Sequence, residues 1–332
     1  MVRLLLVVAI ALAFACDGAR AAKINLDTVN QAQFSEGEPK GVDPMLLKAQ
    51  ILLDRARFSP GLIDGRLSDN FTKAIAAFQA ANGLLSDGKL TRETWDKLAA
   101  TFAGPVLTTY EITKKDVHEP FTKRIPARLE RMAKLKRLGY RNVQEKLAER
   151  FHVSEQLLRM LNPKSGFRKA DTSLVVPDVG RGDLPSQLTS VEVDKASRQV
   201  RVLDPSGKPI AVYPASIGSE EKPAPSGAAE VRRVVRNPTY HYNPKFAFKG
   251  VKTKRPFTIA KGPNNPVGSV WIDLSIESYG IHGTPDPGKI GTTFSHGCIR
   301  LTNWDAEDLA VMVKPGTKVD FKDETAQDGQ AQ

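Results

Sequence analysis

The chain has little cysteine: 332 residues hold two, Cys16 and Cys298. A disulfide framework is excluded, and if the segment carrying Cys16 is removed, Cys298 remains as a lone thiol. The five histidines are scattered without metal-ligand spacing, so neither a metal nor another cofactor is expected. Acids are outnumbered by bases, 37 to 48, and the resulting net charge of +11 points to anionic partners. After the first fifteen residues no apolar run approaches eighteen, which excludes a helical bilayer span from the rest of the chain.

The one early apolar run gives the charge its context. Met1-Val2-Arg3 followed by Leu4 to Ala15 has the length and order of a secretion signal. Ala19-Arg20-Ala21 offers a small-x-small cleavage box, so residues 1–22 are read as a signal peptide and the remainder as exported and soluble. Ala13-Phe14-Ala15-Cys16 leaves a lipidated Cys16 open as the alternative. Export turns the expectation away from nucleic acid, toward cell-wall polymer, phospholipid or lipopolysaccharide.

At this length two or three domains are expected. Residues 23–43 read as a linker. In residues 44–101 a helical pattern is followed by a near-repeat, GLIDGRLSDNFTKAI (Gly61 to Ile75) and GLLSDGKLTRETWDKL (Gly83 to Leu98). Each copy has an Asp-Gly turn and then a hydroxyl residue, Ser68 or Thr91, placed to cap a helix. Residues 105–180 hold two helical stretches, a turn at His152, a cap at Ser154 and a closing strand at Leu174 to Pro177. From residue 188 to 321 the pattern is of strands, with a hairpin turn at Asp204-Pro205-Ser206-Gly207 and one amphipathic helix over Asp305 to Val313. Residues 322–332 read as a disordered tail. Asn237 to Phe246 lacks periodicity and reads as a loop beside a cleft, with Tyr240, His241 or Tyr242 available to substrate.

The chemistry is concentrated between Tyr279 and Trp304, YGIHGTPDPGKIGTTFSHGCIRLTNW. A thiol attacks as thiolate, and a neighbouring imidazole is the usual means of generating it. Cys298 has two candidate bases here, His282 and His296. Gly283 and Gly297 leave main-chain N–H groups near the sulfur open to act as an oxyanion hole. The Pro- and Gly-rich residues between the histidines read as a loop that returns His282 toward Cys298.

The motifs HGT (His282 to Thr284) and SHGCIRL (Ser295 to Leu301) resemble the signature of the L,D-transpeptidase catalytic domain, the YkuD-like family. The resemblance implies Cys298 as nucleophile, His282 as general base, and the Gly283 carbonyl fixing its tautomer. It assigns Ser295, His296, Gly297 and Arg300 to the oxyanion hole and substrate pocket. KPAPSG (Lys222 to Gly227), with Ala224 where Thr is common, and GPNNPVG (Gly262 to Gly268) resemble two of the family's turns.

The implied fold is multidomain: a predominantly β catalytic domain, a β-sandwich or open barrel, preceded by two modules. Residues 44–101 resemble a three-helix peptidoglycan-binding domain, and residues 105–180 resemble an α/β LysM module. The implied reaction is attack on the residue-3 carbonyl of a peptidoglycan stem with loss of D-alanine. The acyl group then passes to an amine of another stem, giving a 3–3 cross-link, or to a lysine of an outer-membrane protein. Water as acceptor would make an L,D-carboxypeptidase, and a wall cysteine endopeptidase or a non-catalytic wall-binding scaffold are the other readings. The implied partners are stem peptides and glycan strands in the periplasm, with no nucleic acid.

Overall fold

The computed structural model describes residues 24–37, 39–184, 188–218, 223–246, 251, 253–293 and 297–323. The signal-peptide expectation, residues 324–332 of the expected tail, Ser295, His296 and Lys222 lie outside the described residues, whereas Lys322, expected to open the tail, ends a strand. No helix among those described is long and apolar enough to cross a membrane.

The expected linker contains a short helix, α1 (Leu26–Asn30), closed by a reciprocal capping box between Asn25 and Thr28. Val29 brings it into the same core as α2 (Pro44–Arg55), α3 (Asp69–Ala81) and α4 (Arg92–Ala99). The near-repeat has a structural basis. Gly65 and Gly88 take positive φ, 72° and 71°. A glutamine from the preceding helix holds each turn: Gln50 Oε1 accepts from Gly65 N at 2.7 Å, and Gln79 Oε1 accepts from Gly88 N at 2.9 Å. Ser68 and Thr91 then cap α3 and α4 as expected, accepting from Phe71 N and Thr94 N.

The next segment contains β1 (Leu107–Glu111), α5 (Lys114–Val117), α6 (Leu129–Met132), α7 (Val143–Arg150), α8 (Glu155–Leu161) and β2 (Ser173–Pro177). β1 and β2 form an antiparallel pair, and Ser154 caps α8 at 3.0 Å. The apolar faces of α7 and α8 share one core with the N-terminal helices, so the two expected modules are packed as one body.

The β-rich part comprises β3 (Ser190–Asp194), β4 (Gln199–Leu203), β5 (Pro209–Pro214), β6 (Ser216–Ile217), β7 (Gly227–Arg236), β8 (Tyr240–Tyr242), β9 (Phe257–Ile259), β10 (Val270–Leu274), β11 (Gly280–His282) and β12 (Ile299–Arg300). Helix α9 (Asn303–Met312) and β13 (Lys318–Lys322) complete it. The nine-stranded order is β5-β4-β3-β13-β7-β10-β11-β12-β6, with β8 and β9 paired separately. β7 links its halves: its first four residues pair with β13, its remainder with β10. A second apolar core, including Val191, Tyr213, Ile272, Ile281 and Leu309, lies between these strands and α9. The expected Asp204 to Gly207 hairpin is present, with Asp204 O accepting from Gly207 N at 3.0 Å.

A buried ionic cluster fastens the helical body to the β-rich domain. The Arg181 side chain is 7% exposed and bridges Asp54 of α2 (2.7 Å) to Asp305 (2.8 Å) and Asp308 (2.9 Å) of α9. Tyr213 donates to Asp308, Ser59 donates to Asp305, and the ring of His152 stacks 5.0 Å from Trp304 while bonding Asp54. Burial alone would raise Asp54, but Arg181 and His152 bring it down to about 2. Burial likewise works against the charge of Arg181, and the three carboxylates overcome it. Removing the cation strands Asp305 without a counter-charge and leaves Asp308 with Arg57 alone and Asp54 with His152 alone. Arg181→Met should therefore destabilise the protein by about 3 to 5 kcal/mol in urea denaturation; a change below about 1 kcal/mol would show that the cluster does not hold the two bodies together.

Candidate active site

Strand register sets His282 among the residues around Cys298. β11 pairs antiparallel with β10, placing Trp271 opposite His282, and parallel with β12, placing His282 beside Arg300. Cys298 directly precedes β12. Both His282 and Cys298 line a cavity of about 1060 Å³, together with Gly297 and Arg300.

His282 is buried, 4% exposed, and its ring stacks on Trp271 at 5.5 Å. Nδ1 lies 2.7 Å from the Gly283 carbonyl oxygen. A carbonyl only accepts, so Nδ1 carries the proton and Nε2 keeps its lone pair. Burial, and then the charge of Arg300, lowers this histidine to about 3, against a weaker upward pull from Gly283. A neutral imidazole with a free Nε2 is the form able to take the thiol proton. Cys298 Sγ is 3.9 Å from the Ser278 carbonyl, and Gly297 beside it has φ 125°.

Other groups shape the cavity. Tyr240 and His241 of β8 line it, whereas Tyr242 is buried and stacks on Phe257 at 4.7 Å. Burial and the charge of Cys298 push Tyr240 up to about 12, so its phenol stays protonated. The Tyr279 hydroxyl is buried and has no hydrogen-bond partner among the described residues. Of the expected site residues, Cys298, His282, Gly297 and Arg300 face the cavity, and Gly283 stands behind His282.

Three supporting residues escaped the sequence reading. Asn303, the first residue of α9, accepts from Ser269 N at 3.0 Å and donates to Glu149 of α7 at 2.9 Å. A Cβ added at Gly283 would collide with the same Asn303 oxygen, so the residue that orients His282 must be glycine. Burial holds the Glu149 carboxyl up at about 8, protonated at neutral pH, and Tyr140 donates to it at 3.2 Å. Trp271 is the third. The -LTNW- sequence after the cysteine was the one available signal for Asn303.

Residues 189–321 match the family described as "L,D-transpeptidase catalytic domain", and residues 43–98 match "Putative peptidoglycan binding domain". Residues 189–321 are an L,D-transpeptidase catalytic domain. The chain is 29% identical over 177 residues to "Putative L,D-transpeptidase YkuD" of Bacillus licheniformis, covering 53% of this chain and 90% of that one. It is 34% identical over 118 residues to "Probable L,D-transpeptidase YbiS" of Escherichia coli K12, covering 35% of this chain and 38% of the relative. A crystal structure of L,D-transpeptidase 3 from Mycobacterium tuberculosis with a faropenem-derived adduct aligns at 18% identity and TM-score 0.34, over 46% of this chain and 67% of that one.

The lowered His282 of the transpeptidase domain makes a stability test possible. Between about pH 3 and 6.5 the unfolded state binds a proton there that the folded state excludes, so this contribution is complete above pH 6.5 and is lost as pH falls. Comparing wild type with His282→Gln cancels the other titrating groups. Wild type should lose on the order of 3 kcal/mol relative to the variant between pH 7 and pH 4. Parallel curves for the two proteins would mean that His282 titrates normally.

Proposed function

We propose that this chain is a cell-wall L,D-transpeptidase whose Cys298 is acylated by the residue-3 carbonyl of a peptidoglycan tetrapeptide stem. What carries the reading is the neutral His282 across adjacent parallel strands from Cys298, inside a cavity large enough for a peptide. His282 Nε2 takes the thiol proton as sulfur attacks, and the proton passes to the departing D-alanine amine. Main-chain N–H groups at Gly297 and Cys298, with Ser295 and His296 beside them, receive the developing oxyanion, and Arg300 contributes positive charge. The thioester is then opened by an acceptor amine of a second stem, giving a 3–3 cross-link, or by a lysine of an outer-membrane protein.

The remaining assignments belong to the same proposal. Residues 1–22 direct export, and the enzyme works in the periplasm against the wall. The helical module over residues 43–98 and the LysM-like β-α-α-β segment hold glycan strands. No metal takes part in the steps above, since thiolate, imidazole and main-chain N–H groups supply every role they require.

Mass spectrometry of the protein incubated with a tetrapeptide stem tests this reading. The expected results are release of D-alanine, a thioester on Cys298, and a cross-linked product when an amine acceptor is added. Cys298→Ala should lower D-alanine release about a thousandfold or more. Release to water alone, unchanged by any amine, would make the enzyme a carboxypeptidase; intact stems and an unmodified Cys298 would leave the scaffold reading.

A further inference from the structure

Residues 123–137, KRIPARLERMAKLKR, carry seven Lys or Arg and one acid, Glu130, a surplus of six charges in a chain whose net charge is +11. All seven basic side chains are exposed, and none forms an ion pair among the described residues. Elsewhere in the helical body Arg55, Arg141, Lys146 and Arg181 have carboxylate partners.

The segment is fixed at its base. Thr122 N donates to Tyr140 O at 2.8 Å, and Gly139 N donates to Thr122 Oγ1 at 3.1 Å, closing the loop on itself. Leu138 then pairs with the catalytic domain through Lys261 O at 3.0 Å and Asn264 N at 2.9 Å. From this anchorage Ala127, Arg128 and Leu129 form part of the wall of the cavity that holds Cys298 and His282. The cavity lining has three arginines, Arg128, Arg233 and Arg300, and one carboxylate, Glu277. Arg233 is already paired with Asp273 at 3.2 Å.

We propose that residues 123–137 are a docking strap for the carboxylates of the substrate, with Arg128 receiving one at the cavity wall and the outer cations attracting the polyanionic wall. The proposal rests on the transpeptidase reading for its ligand, a peptide ending in an α-carboxylate. An anionic lipid surface fits the strap less well. Membrane docking also needs apolar side chains to bury, and the exposed large apolar residues of the described chain, Leu67, Leu85, Met160, Leu184 and Val311, all lie elsewhere.

The test is equilibrium binding of a fluorescent stem tetrapeptide with free carboxylates, beside its fully amidated counterpart, to the whole chain. Arg128→Ala should weaken the free acid about fivefold, a typical worth of one exposed charge pair, and leave the amide unchanged, with Arg128→Lys recovering part of the loss. A variant with Lys123, Arg124, Lys134 and Lys136 changed to serine should lose most of the salt dependence of binding. An unchanged melting temperature in each variant excludes a folding defect. Equal binding of acid and amide by wild type would overturn the strap. So would peptide binding that the variants leave intact while they abolish binding to vesicles of anionic phospholipid. Because binding is read without turnover, strap-dependent binding with no D-alanine release would contradict the enzyme reading and leave the strap standing.

Discussion

The structure depends on one short piece of parallel pairing, β11 against β12. Two residues from each strand suffice to set Ile281 beside Ile299 and His282 beside Arg300. Cys298 directly precedes β12 and lines the same cavity as His282, and slipping either strand by one residue would turn its side chains to the opposite face. Parallel neighbours need a long crossover, and the residues between His282 and Cys298 provide it.

Around that pairing, burial makes the base neutral and hydrogen bonds orient it. The Gly283 carbonyl accepts a hydrogen bond from Nδ1–H, Trp271 covers one face of the ring, and Asn303 presses against Gly283 from α9. Asn303 is held in turn by Glu149 of α7, so the helical body reaches the surroundings of His282 through two side chains. The Arg181 cluster and the Leu138 pairing with Lys261 and Asn264 hold the same two bodies together elsewhere. Function and domain packing therefore share a single framework, in which the N-terminal part also supplies a wall of the cavity.

What the sequence revealed was local. Ser68, Thr91 and Ser154 cap the helices they were expected to cap because a cap is satisfied within three residues. The Asp204 to Gly207 hairpin and the strands at Gln199–Leu203 and Val270–Leu274 were legible for the same reason. Cys298 and His282 were legible through their motif. Long-range relations were not: Asn303 to Glu149 spans 154 positions, and Arg181 to Asp54 spans 127. Helix α1 was missed because a five-residue helix depends on its capping box and the burial of Val29 more than on any periodic pattern. β8 was read as loop because its partner β9 is distant in sequence and neither strand exceeds three residues.

The protonation state of His282 in the folded protein is the quantity on which the account rests. Nitrogen-15 NMR of the histidine-labelled chain, with His282 assigned by its loss in His282→Gln, reads it directly. The account predicts a neutral ring at pH 7 with the proton on Nδ1, unchanged down to about pH 5. An imidazolium at pH 7, or a neutral ring protonated on Nε2, would contradict it, since neither form can take a proton from Cys298 through the nitrogen that faces the cavity.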